Sequence, residues 1–204
     1  MAQAIDTLKR RLETILHDFK RARSTWHEIS DHTLSDVNAL VNAIIQSRYV
    51  DDAAYWHPAL CMEYPNMTQA YNKKIQWVID QHCNKVSSMV DKMGKQHDKM
   101  KQQISELHVI CKRATDLRGD NFVEHEPLFK TCPMRTYVVR FESIVNMYTD
   151  AMEVLRSLLS NQGFKHIKSR EEGLSMLSIW VHQPSIDDNI INEFEELCEI
   201  EIYA

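Results

Sequence analysis

The sequence predicts an all-α protein: an elongated antiparallel helical bundle or coiled coil of two long helices plus a third, with a short acidic C-terminal helical pair. Two observations lead there. The 204 residues include only 4 Gly and 5 Pro, where ordinary usage of roughly 7% and 5% would supply about 14 and 10. That leaves too few turn-makers for a many-stranded sandwich or barrel. Apolar residues also recur at alternating steps of three and four over long stretches, with charged residues between them, which is the period of a coiled-coil helix.

Ile5, Leu8, Leu12, Ile15, Phe19, Ala22, Trp26 and Ile29 form the first seam. After the polar stretch Ser30-Asp31-His32-Thr33 a second row follows, Val37, Leu40 or Val41, and Ile44, displaced as by a four-residue stutter. The pattern predicts a helix over 4–47, about 66 Å long at ~1.5 Å per residue, with room for a break near 31–35. Residues 48–66 hold Pro58 and Pro65 amid Tyr55, Trp56, Leu60 and Tyr64. A connector this aromatic is expected to fold back onto the long helices.

The second long helix is predicted over 67–117, seamed by Ile75, Ile79, His82, Val86, Met89, Met93, His97, Met100, Ile104, Leu107, Cys111 and Ala114. Gly94 falls at its stutter, a place for a bend, and the methionines make the seam soft and adaptable. Residues 118–136, with Gly119, Pro127 and Pro133, form a second connector. A third helix follows on Val138, Phe141, Ile144 or Val145, Tyr148, Met152, Leu155 and Leu159, stopping at Asn161-Gln162-Gly163. Ser169-Arg170-Glu171-Glu172 has capping-box spacing and opens a short helix to Val181, ended by Pro184. Ser185-Ile186-Asp187-Asp188 starts the last helix, with Ile190, Ile191, Phe194 and Leu197 on its buried side. The expected division is a helical bundle over 1–165 and an acidic helical pair over 166–204.

Charge and motifs narrow the function. The net charge of −5 argues against a general nucleic-acid binder and leaves such contact at most indirect. Residues 171–204 carry nine acids and no Lys or Arg, whereas residues 9–23 carry six bases, a polarity suited to assembly with partners. There is no GxxxxGK[ST], no HExxH, no GxSxG and no metal-spaced Cys/His set. The expectation is therefore no enzyme, no cofactor and no metal. His82 and His97 lie on a seam and read as structural. The cysteines at 61, 83, 111, 132 and 198 are odd in number and without CxxC, which suits unbridged thiols in a reducing compartment. No apolar run spans a membrane and the start lacks a secretory signal, so an intracellular chain is expected.

A two-in-seven stripe needs a second helix to cover it. The three predicted helices make a thin stack, and Trp56, Trp77, Val78, Ile110 and Val139 are apolar outside the seams. An uncovered flank favours association, so a second helical coiled-coil protein is the expected partner, with Leu8, Leu12, Ile15, Phe19 and Trp26 as candidate contacts. The alternative is a compact helical bundle in which both long helices kink and fold back. Lys9-Arg10-Arg11-Leu12 has two readings: a solvated helical face, or an Arg-x-Leu cyclin-docking peptide. The place of Leu12 in the seam favours the first.

Three stretches carry a resemblance: Trp26-His27, Pro127-Leu128-Phe129-Lys130-Thr131-Cys132-Pro133, and Leu177-Ser178-Ile179-Trp180-Val181-His182-Gln183-Pro184. Leu60-Cys61-Met62-Glu63-Tyr64 and Met147-Tyr148 fall between them in the matching order. Together they resemble the cyclin-dependent kinase 2-interacting protein (CINP) family from about Ser24 onward. The resemblance implies a non-enzymatic protein of nucleus and cytoplasm, associated with replication, cell-cycle kinases and the DNA-damage checkpoint. It also implies a subunit of a AAA ATPase complex that serves chromatin and large-ribosomal-subunit maturation, paired there with a second helical subunit. The alternative is a direct cyclin- or cyclin-dependent-kinase-binding regulator of DNA replication. Leu177, Trp180, His182 and Pro184 would either dock the C-terminal helices or anchor a partner. Leu128, Phe129 and Pro133 would pin the second connector or touch a partner. No proline follows Ser or Thr, so proline-directed phosphorylation of this chain is not expected. Ser185, ahead of Asp187 and Asp188, reads first as an N-cap and second as a site for a kinase that prefers acidic flanks.

Overall fold

The computed structural model describes residues 2–160 and 163–203. Among them are seven α-helices and no strand, apart from one isolated bridge between Pro127 and Pro133. The helices are α1 (Ala2–Ser47), α2 (Pro58–Glu63), α3 (Met67–Arg118), α4 (Asp120–His125), α5 (Met134–Leu159), α6 (Arg170–His182) and α7 (Asp188–Cys198), followed by one π turn (Glu199–Tyr203). Asn161 and Gln162 of the expected stop after α5 lie outside the described residues.

α1 has no break at 31–35. The polar stretch turns its short hydroxyls inward, so that Trp26, Ser30, Thr33 and Val37 are all buried and the seam continues through it. The Thr33 hydroxyl donates to the Ile29 carbonyl at 2.6 Å and needs no other partner there. α3 likewise runs unbroken through Gly94. His97 is buried and lies 2.9 Å from the Thr149 hydroxyl, the structural role expected of it.

Caps set the C-terminal helices. Ser169 accepts from the Glu172 N–H at 3.2 Å, while the Glu172 carboxylate accepts from the Lys168 N–H at 2.7 Å, a capping box that reaches one residue further back. α7 is capped by Asp187, which accepts from the Asn189 N–H at 2.9 Å. Ser185, expected as the cap, stands two residues too early: the helix begins at Asp188, so only residue 187 can reach its first free N–H groups. Asp187→Ala is expected to cost about 0.5–2 kcal/mol and Ser185→Ala almost nothing, read by thermal melting.

The described helices group into two compact units. Unit one comprises Met1–His27, Gly94–Met152 and Pro184–Ala204. In it Phe19 meets Phe141 at 4.1 Å and Trp26 meets Tyr148 edge-on at 5.4 Å. Both pairs are one heptad apart on both helices, so α1 and α5 run in the same direction. The contacts His97–Thr149 (2.9 Å) and His108–Glu142 (3.0 Å) set α3 against them in the opposite direction. Phe194 of α7 adds a fourth element at 6.3 Å from Phe141. Each large side chain buried this way stabilises by about 1.5–3 kcal/mol. The opposed charges of the two chain ends also meet here: Glu195 accepts from Arg23 at 2.7 Å and pairs with Lys20 at 3.1 Å.

Unit two comprises Glu28–Met93 and Glu153–Gln183. α6 packs on the second half of α1, running against it: Trp180 and Gln183 reach Ser30, while Gly173 lies at Val41. A Cβ on Gly173 would come within 2.7 Å of the Val41 Cγ1, so glycine permits this close approach. The two acidic C-terminal helices are thus shared out, α6 to unit two and α7 to unit one.

Candidate protein-interaction surface

The α1 residues expected to meet a foreign chain are core. Leu8, Leu12, Ile15, Phe19 and Trp26 are buried, and their cover comes from within unit one, where Phe141 and Tyr148 of α5 stand against Phe19 and Trp26. The α1 seam is closed because α5 and α7 add to the two long helices; of the off-register residues, Ile110 is buried while Trp77 and Val139 stay 54% and 47% exposed. Leu12 is 0% exposed, so the Arg-x-Leu run cannot be offered as a docking peptide in this conformation.

The stretches that carry the resemblance serve mainly as internal joints. Trp26 and His27 meet Tyr148, with His27 Nε2 at 2.9 Å from the Tyr148 hydroxyl. Trp180 is buried, its indole N–H donating to the Ser30 carbonyl at 3.4 Å, and Gln183 donates to the Ser30 hydroxyl at 2.8 Å. Leu177 is half-buried, while His182 and Pro184 are exposed. Gln183 ends α6 in the left-handed region (φ 39°), which turns the chain there.

The loop 127–133 is a clasp. Leu128 is buried; Phe129 and Pro133 are half-buried, with Phe129 edge-on to Tyr137 at 6.0 Å and Lys9 5.5 Å above its ring. The backbone N–H groups of Lys130, Thr131 and Cys132 converge on the Glu201 carboxylate at 3.0, 3.0 and 3.2 Å, and the Thr131 hydroxyl donates to it as well. Burial works to raise the Glu201 pKa, but the Thr131 side chain and these N–H groups outweigh it and hold it at about 2. Three successive N–H groups around one anion form a nest.

One of these stretches faces outward. Leu60-Cys61-Met62-Glu63 lies on α2, which has no buried residue, and Tyr64 caps it. From residue 51 to 66 every residue but the half-buried Trp56 is exposed. The connector folds back onto α3 through Trp56 alone and leaves Tyr55 and Tyr64 in solvent, less cover than the sequence leads one to expect. Trp56 is edge-on to Tyr55 (5.3 Å) and to Tyr71 of α3 (5.2 Å), and its indole N–H donates to the Val50 carbonyl at 2.7 Å. What remains outside is a run of large apolar groups: Met62 84% exposed, Tyr64 55% and Leu60 44%; further along the chain, Trp77 of α3 is separately exposed at 54%. Lys74 sits 4.1 Å over the Trp77 ring.

This surface suits protein recognition. Methionine adapts to a partner's shape, and tyrosine and tryptophan are the commonest anchors of interfaces. In the sequence Leu60–Tyr64 carry part of the resemblance and Trp77 is off-register, and neither stands out as a contact. The signal was that these residues belong to no seam. Among the described residues no group of three or more His, Cys, Asp or Glu is placed to hold a metal ion, and no helix is long and apolar enough to cross a membrane.

No protein-family model matches the chain. It is similar to the cyclin-dependent kinase 2-interacting protein of Xenopus laevis, 21% identical over 188 residues that make up 92% of this chain and 86% of that protein. The protein of the same name from Bos taurus is 21% identical over 168 residues, 79% of this chain and 74% of its own.

Proposed function

We propose that this chain, alike over most of its length to proteins named for interaction with cyclin-dependent kinase 2, is a non-enzymatic helical adaptor. It pairs with a second helical coiled-coil subunit in nucleus and cytoplasm. Through that pairing it links a AAA ATPase complex to replication, checkpoint signalling and large-ribosomal-subunit maturation. The observation that carries this reading is the connector. Where the other stretches of the resemblance are largely spent on packing, Leu60 to Tyr64 leaves its large side chains in solvent. Hydrophobic side chains already carried on a formed helical turn cost little further ordering on binding. The second subunit is expected to lay an apolar helix face over them.

Replacing both Met62 and Tyr64 by Asp tests this. Both side chains are more than half exposed, so stability should stay within about 0.5 kcal/mol, while recovery of the AAA ATPase with the tagged full chain falls about tenfold or more, the equivalent of ~1.4 kcal/mol. Undiminished recovery refutes the assignment of this surface. The names of the relatives favour a second reading, direct binding of the kinase or its cyclin. Purified cyclin-dependent kinase 2 with cyclin, held by the chain with no other subunit present, would establish it. Loss of that binding in Arg10→Gln/Arg11→Gln would locate it on α1.

A further inference from the structure

We propose that unit one carries its own docking surface, the outer face of α7, and that its occupant is a basic amphipathic helix of a partner protein. Between α7 and the loop 127–133 lies an open groove of about 390 Å³, against the ~150 Å³ that suffices for a benzene-sized group. Leu197, half-buried, and Ile200, 61% exposed, line it. Glu193 and Glu196 line it too, and the spacing 193, 196, 200 puts two acids and one isoleucine on a single helical face.

The acids of this segment fall into two sets. Glu195 is bound to Lys20 and Arg23, and Glu201 is held by the clasp, so both are engaged within the unit. Glu193 reaches Arg140 at 3.4 Å, with the two side chains 66% and 40% exposed, a pairing that solvent weakens. Glu196 and Glu199 are exposed and make no ion pair among the described residues. From Pro184 onward there is no Lys or Arg at all. Arg140 also lines the groove and pairs there with Glu193, while Lys130 of the loop donates to the Ile200 carbonyl at 2.9 Å.

This arrangement selects its occupant. An acidic helix would be repelled by Glu193 and Glu196 of the groove, and a wholly apolar one would desolvate them without return. A helix with Lys or Arg on either side of a Leu-like residue satisfies both the acids and Ile200. Charge complementarity of this kind chiefly sets specificity and association rate. The surface belongs to a different unit from the connector, and its test involves no kinase and no ATPase.

The experiment is fluorescence anisotropy of the full chain with a labelled Lys/Leu helical peptide of about 18 residues and with its Glu/Leu counterpart. The Lys/Leu peptide should bind and the Glu/Leu peptide should not, and affinity should fall as salt rises. Glu196→Lys with Ile200→Ser should weaken binding about tenfold or more at an unchanged melting temperature. Glu171→Lys, on α6 of the other unit, should not. Three results would overturn the proposal: equal binding of both peptides, undiminished affinity in the double variant, or equal loss in the Glu171 control, which would mean unspecific charge attraction. Self-association of the chain that Ile200→Ser abolishes would also overturn it, since the occupant would then be a second copy.

Discussion

Trp180→Ala is expected to lower the free energy of unfolding by about 3–5 kcal/mol, the range for removing a buried aromatic ring. The residue is 1% exposed, and its ring lies between α6 and the second half of α1, where Ser30 accepts its N–H. That hydrogen bond is long, at 3.4 Å, so most of the loss comes from the void left by the ring. Trp180→Phe separates the two contributions: it keeps most of the apolar volume and should lose clearly less than the alanine variant. Denaturant titration of the three proteins measures it. A Trp180→Ala protein that melts normally yet fails to bind its partner would show instead that the indole is an outward anchor, against its observed burial.

Glu201→Ala is expected to cost about 1.5–3 kcal/mol, the scale of hydrogen bonds to a charged group, and to free the residues beyond α7 from the loop. Its pH signature is more diagnostic than its size. The carboxyl sits at about 2 in the folded chain against an ordinary 4.5. The folded state therefore binds fewer protons here than the unfolded state between those values. The contribution is complete above pH 4.5 and is lost as pH falls toward 2. Glu201→Gln should flatten that part of the stability curve, measured as the denaturation midpoint against pH. An acid limb as steep in the Gln variant as in the native chain would place the titration elsewhere.

The helices were legible because amphipathic periodicity is local: α1, α3 and α5 follow the three-and-four spacing of their own apolar residues. The two places where the sequence allowed a break, Thr33 and Gly94, remain helical. Tertiary contacts supply what those residues lack in propensity, as the burial of Ser30 and Thr33 shows. The candidate surface was much less legible. Seam residues such as Leu12 and Trp26 invite a partner in sequence, but whether a seam is free depends on how many helices of the same chain reach it.

By itself, then, the sequence determined the all-α class, the reach of each long helix, the capping box at Ser169 and the segregation of acid to the C-terminal end. Only the tertiary structure decided that α5 and α7 cover the α1 seam, that Glu195 and Glu201 are engaged within their unit while Glu196 and Glu199 are not, and that Met62 and Trp77 face solvent. The physical reason is that periodicity reports which face of a helix prefers burial, a property of neighbours along the chain. Which segment buries it is settled by residues distant in sequence, such as Phe19 with Phe141 and Ser30 with Trp180.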